Sequence, residues 1–148
     1  MNIYPYTGFH FRVTFGNISG AKNDIAFQSV KGLEIQLETE TVKEAGVLDY
    51  EHVIPVRAKF SPLILERGVF KPENSWVIGW CKRALMEFTF EPITVTVMLL
   101  NEAHQPLITW NLRHTWPKSW KIKDLNAQQG EILVETLELN YNAFTVSS

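Results

Sequence analysis

The chain has a single cysteine, Cys81. One thiol allows neither an intramolecular disulfide nor a cysteine-only zinc site. Long hydrophobic runs are missing too: purely apolar stretches last a few residues, far short of the ~20 that a membrane-spanning helix needs. The opening MNIYPYTGFHFR lacks a basic stretch followed by an apolar segment, so Sec export is not expected and the protein should be made and kept in the cytosol. Positive charge is not in excess: 14 Lys and Arg face 16 Asp and Glu, without a long basic run. That balance argues against a polyanion-binding face. Glycine is scarce, with 8 residues in 148, and none forms GxGxxG or GxxxxGK, so no phosphate loop is present.

Groups for chemistry are equally sparse. A cysteine nucleophile would have to be Cys81, with His10, His52, His104 or His114 as its base. Cys81 falls on the apolar face of a predicted helix, which makes it a core thiol. The four histidines are scattered, with none at the i, i+2 or i, i+4 spacing of a metal pair. No catalytic residue, metal site or cofactor is therefore expected, and the chain reads as a non-enzyme.

Large aromatics and alternation are what the sequence does have. Five Trp and nine Phe are more than a domain of this size must bury, so some are expected at a protein interface. Phe9, Phe11, Val13 and Phe15 alternate with polar residues, as do Leu33, Ile35 and Leu37. The same holds for Ile54, Val56, Ala58 and Phe60, and for Ile93, Val95, Val97 and Leu99. Ile108, Trp110 and Leu112, then Leu137, Leu139 and Tyr141, continue the pattern. Period-two alternation predicts half-buried strands. Gly16–Gly20, Ala45–Gly46, Asn101–Gln105 and Gln128–Gly130 read as connections between them.

One segment differs. Val77, Trp80, Cys81, Ala84, Leu85 and Phe88 lie at helical spacing between Asn74 and Phe88, with Asn74 or Ser75 as N-cap and Pro92 as stop. The expected fold is mainly β (α+β): a single domain spanning 1–148, with a sandwich or barrel of about six to eight strands, one packed helix and an extended hairpin.

The acidic stretch beginning at Leu33 puts Glu34, Gln36, Glu38 and Glu40 on one strand face. A cation site there lacks completing Asp or His ligands. A solvated face is one reading; a negatively charged channel lining that repels acidic cargo is another.

Several elements carry a resemblance in order along the chain: Phe27–Leu33 (F-x-x-V-x-G-L), Leu63–Phe70 (LILERGVF), Leu99–Glu102 (LLNE), Pro106–Trp110, Trp116-Pro117-x-x-Trp120, Asn126–Ala127 and Glu135–Leu139 (ETLEL). Together, from about Phe9 to Phe144, they resemble the tail-tube family of contractile phages and the inner-tube proteins of related contractile injection systems. The resemblance implies homo-hexameric rings stacked into a tube inside a contractile sheath. It also implies a baseplate hub or spike beneath the tube and effector cargo or DNA passing through its lumen. Glu66 stands where that family commonly has Lys. His52–Arg57 replaces a K-L-P-G stretch, and with Tyr4–Val13 it is similar to the subgroup that starts the tube on the baseplate hub.

The predicted hairpin from about Leu33 to Phe60 is long enough to extend beyond one core, and ring closure is one way to satisfy its edges. Glu44, Tyr50, Arg57, Glu66, Arg67 and Trp116 are the expected inter-subunit residues, and Glu34, Gln36, Glu38 and Glu40 the expected lumen residues. Trp116-Pro-Lys-Ser-Trp120 reads equally as a core corner. Two other functions stay open: a type VI secretion ring and effector carrier, and a β-barrel small-molecule binding module. The expected location is cytoplasmic assembly into a phage tail or phage-tail-like particle, with extracellular release.

Overall fold

The computed structural model describes residues 10–16, 26–27, 29–43, 51–69, 75–122 and 133–148. The strands are β1 (His10–Phe15), β2 (Ala26–Phe27), β3 (Ser29–Lys31), β4 (Ile35–Lys43), β5 (Glu51–Phe60), β6 (Leu63–Val69), β7 (Ile93–Leu100), β8 (Pro106–Ile122), β9 (Leu133–Asn140) and β10 (Ala143–Ser147). The helix, α1, spans Trp76–Leu85.

The main sheet runs β2-β1-β7-β8-β9-β6-β3, with β10 added to β8 and every pairing antiparallel. β2 bonds β1 while β3 bonds β6, so these two short strands, one residue apart in sequence, sit at the two ends of this path. The strands thereby close into a barrel, which removes the edges that an open sheet leaves unpaired. β8 serves both halves of the wall. Its residues up to Thr115 pair with β7, and those from Trp116 onward pair with β9. Trp116-Pro117 is thus the corner where one strand passes from one neighbour to the next. A register shift between Pro117 and Ser119 absorbs the missing proline donor.

Alternation places the core as expected. Val13, Phe15, Val95, Val97, Leu112, Leu137 and Leu139 point inward and are fully buried, as are Leu63 and Leu65 of β6. α1 packs against β8. Ser75 caps the helix, its Oγ accepting from the Ile78 N–H at 3.2 Å. Val77, Trp80, Cys81 and Ala84 form the buried stripe, and Trp80 donates from Nε1 to the Glu91 carbonyl at 2.9 Å. Cys81 is a core thiol, as its spacing implied. The helix is shorter than its apolar spacing suggested. It stops at Leu85, and Phe88, expected on the buried stripe, has left-handed backbone (φ 55) and is 82% exposed.

A polar network pins the helix start to the barrel. Arg67 pairs through Nε with Glu135 Oε1 at 2.5 Å and donates from Nη2 to the capping Ser75 Oγ at 2.7 Å. Trp120 Nε1 donates to the other Glu135 oxygen at 2.7 Å, and the guanidinium lies 5.0 Å from the Phe27 ring centre. Arg67 and Glu135 are buried, so each charge is stable only because the other is there. This corrects the expectation that Arg67 sits at a subunit edge: its side chain is an internal tie between β6, β9 and α1.

Candidate assembly interface

β4 and β5 form a two-stranded sheet of their own, joined to no other described strand. At nine and ten residues they make an arm roughly 30 Å long. All of it is exposed except Phe60 at its base. An isolated hairpin is marginally stable in water, and this one shows Ile35, Leu37, Val42, Val53, Ile54 and Val56 to solvent. The alternation that predicted half-buried strands is therefore a surface within a single subunit, on a hairpin that does extend beyond the core.

The root of the arm is fixed. Phe60 packs edge-on against Phe144 and Tyr141, with ring centres 4.9 and 6.0 Å apart. The Ser61 N–H donates to the Glu34 carbonyl at 3.2 Å, and Tyr141 donates its hydroxyl to the Ser61 carbonyl at 2.6 Å. Burial, with the Glu34 carboxylate second, pushes the Tyr141 phenol up to about 12. Gly32 makes the close passage possible. It has φ +90, and a Cβ there would stand 1.9 Å from the Pro62 carbonyl oxygen.

Register sorts the arm into two unlike faces. Cross-strand partners share a face, so Ile35, Leu37, Thr39 and Thr41 lie with Phe60, Ala58, Pro55 and Val53. That face is uncharged from root to near the tip, where Lys43 and Glu51 pair at 3.6 Å. The opposite face carries Gln36, Glu38 and Glu40 with Lys59 and Arg57, then Val42, His52 and Ile54. A bulge makes the division: Glu38 faces Arg57 and Thr39 faces Pro55, leaving Val56 as the extra residue. Strict alternation along Ile54–Phe60 had placed Ile54 with Phe60, and the bulge puts them on opposite sides.

The sequence-predicted residues distribute as follows. Glu34 precedes β4 and accepts from Gln36 Nε2 at 3.0 Å; Glu38 pairs with Arg57 at 3.1 Å. Arg57 and Lys59 share the face with Glu38 and Glu40, so that face is mixed in charge, not uniformly negative as expected. Glu66, on β6, accepts from Thr136 Oγ1 at 3.5 Å and is half-buried. Trp116 is half-buried at the barrel corner, edge-on to Phe90 at 5.7 Å. Glu44 and Tyr50 belong to the 44–50 tip, outside the described residues.

Sequence reasoning missed a second apolar surface just beyond α1. Leu85, Met86, Phe88 and Phe90 are exposed there, and Phe88 and Phe90 meet edge-on at 4.9 Å. Phe90, Pro92, His114 and Trp116 line an open cleft of about 250 Å³. The available signal was the alternation of Glu87, Phe88, Thr89, Phe90 and Glu91, which does not continue a helical stripe.

A model of the T4-like virus tail tube protein gp19 family matches residues 7–145. The chain belongs to this tail tube family. Among solved structures, a chain of the six-fold symmetrised anti-feeding prophage baseplate is 30% identical to this tail tube protein. It superposes with a TM-score of 0.78, covering 100% of this chain and 98% of that one. A chain of the sheath–tube complex of an extracellular contractile injection system, PVC, in the extended state, is 22% identical with a TM-score of 0.77, over 99% and 93% of the two chains. Hcp1 from Flavobacterium johnsoniae, 12% identical with a TM-score of 0.60 over 93% and 94%, shares the fold. A comparison with curated proteins found no match.

Proposed function

We propose that this protein is the inner-tube subunit of a contractile phage-tail-like injection system, forming hexameric rings that stack around a cargo-conducting lumen. The observation that carries the reading is the β4–β5 arm. It is rigidly rooted and apolar on one face, yet stands clear of the core that its own chain builds. Such an arm needs a neighbour, and head-to-tail contacts between identical subunits close into rings. The charged face, with Glu38, Glu40, Arg57 and Lys59, is then free to line the lumen, where mixed charge gives passing effector or DNA no continuous patch to bind.

The role is mechanical. A rigid stack is driven forward by the sheath around it, and no chemistry is asked of the chain. The baseplate structure, at 30% identity, supports a place as the first ring on the hub. Assembly in the cytoplasm into a particle that acts outside the cell fits the same neighbours. Purified protein imaged by negative-stain microscopy should show six-fold rings or short tubes. A species that stays monomeric at high concentration would overturn the proposal.

A further inference from the structure

The cleft beyond α1 has features that the fold of a single subunit does not require. His114, which lines it, and Phe88, beside it against Phe90, both have left-handed backbone (φ 56 and 55), a conformation that costs roughly 1–3 kcal/mol for residues other than glycine. Phe88 is 82% exposed, so its strain is not offset by burial within the chain. Leu85, Met86, Phe88 and Phe90 together present on the order of 400 Å² of apolar surface, the size of patch that marks an interaction site. The uncharged face of the arm has the matching chemistry, and its two most exposed apolar residues are Leu37 at 62% and Val53 at 65%.

We infer that the aromatic shelf of one subunit, Phe88, Phe90, Pro92 and Trp116, receives the uncharged face of the β4–β5 arm of a second copy. The inference rests on the ring-forming role proposed above and names the surface that accepts the arm. Both surfaces occur once per chain, so a head-to-tail contact satisfies each of them in a closed ring or stack. The arm's uncharged face has its nearest charges in the mutually paired Lys43 and Glu51 at its tip, and of the charges beside the shelf Glu91 is paired with Arg83 at 3.8 Å. The shelf alone is smaller than the roughly 800 Å² per partner of a stable interface, so it acts as an anchor within a larger contact.

The test places a photo-crosslinking phenylalanine analogue at Leu37, and separately at Val53, in the full chain. Irradiated assemblies are then mapped by mass spectrometry. Crosslinks from one copy to residues 85–92 or 114–116 of another are expected. Phe88→Ser should leave the thermal unfolding of the subunit unchanged while raising the concentration for half-assembly at least tenfold. Crosslinks confined to other segments, or normal assembly of Phe88→Ser, would overturn the shelf assignment while leaving the tube role standing. Failure of the unmodified chain to assemble would remove both.

Discussion

Replacing Arg67 by Met keeps an unbranched apolar stem and removes the charged guanidinium. Glu135, with no exposed surface, is then left as a buried carboxylate without its counter-ion, retaining the Trp120 donor at 2.7 Å. Breaking one side of a buried pair costs about 3–5 kcal/mol, because the survivor keeps its desolvation penalty and loses its partner. For a chain of this length that corresponds to a fall in melting temperature on the order of 10 °C. Ser75 also loses the Arg67 Nη2 hydrogen bond at 2.7 Å, though its own cap to Ile78 remains. Adding Glu135→Gln should recover about half of the loss, since the amide oxygen still accepts from Trp120 and no charge is left buried. Urea unfolding followed by tryptophan fluorescence measures both variants, at a protein concentration low enough to hold the subunits apart. An Arg67→Met chain within 1 kcal/mol of wild type, or a double variant no more stable than the single, would show that the network does not hold the fold as described.

Further outcomes follow from the root of the arm and from the core. Gly32→Ala combines a φ of +90 with a Cβ 1.9 Å from the Pro62 carbonyl, so backbone must move; hydrogen exchange should speed up at the start of β4, and unchanged protection there would refute the close passage. Tyr141 is held neutral: its folded pKa of about 12 lies above the ordinary 10.0, so the stability it contributes is complete below pH 10 and is lost as pH rises toward 12. Tyr141→Phe should abolish that part of the alkaline unfolding profile, and an identical profile in the variant would contradict the assignment. Trp80→Ala should cost roughly 3–5 kcal/mol by opening a cavity beside Phe15 and Trp76, checked by the same urea titration; a loss under 1 kcal/mol would place Trp80 outside the core.

The sequence made the barrel strands and the helix readable where alternation or helical spacing coincided with burial inside one chain. β1, β7 and the Val77–Trp80–Cys81–Ala84 stripe are such cases. The same alternation in Ile35 and Leu37 reported that a face seeks burial without saying against what, and only the length of the predicted hairpin pointed beyond one core. Three features could not be read from period alone. The bulge at Val56 inserts one residue, and a two-residue period carries no mark of where it falls. Arg67 is defined by Glu135, 68 positions away, and nothing local distinguishes a buried arginine from a surface one. Phe88 keeps the i+3 spacing from Leu85 after the helix has ended, so its exposure depends on a backbone reversal that composition does not announce. The family resemblance, by contrast, rested on short elements in order, and the match over residues 7–145 bears it out.

The most direct test of the arm as the joining element is a chain carrying Leu37→Asp and Val53→Asp together. Both residues are over 60% exposed in the subunit and lie on the uncharged face, so the folded monomer should be unaffected. Burying a leucine side chain is worth roughly 1.5–3 kcal/mol, so losing both contacts should shift assembly by at least a hundredfold in concentration. Light scattering across a concentration series, beside circular dichroism melts of the same samples, reads the two quantities separately. Folded monomers that no longer form rings are the predicted result. Rings that form at the wild-type concentration would contradict the claim that the arm joins the subunits.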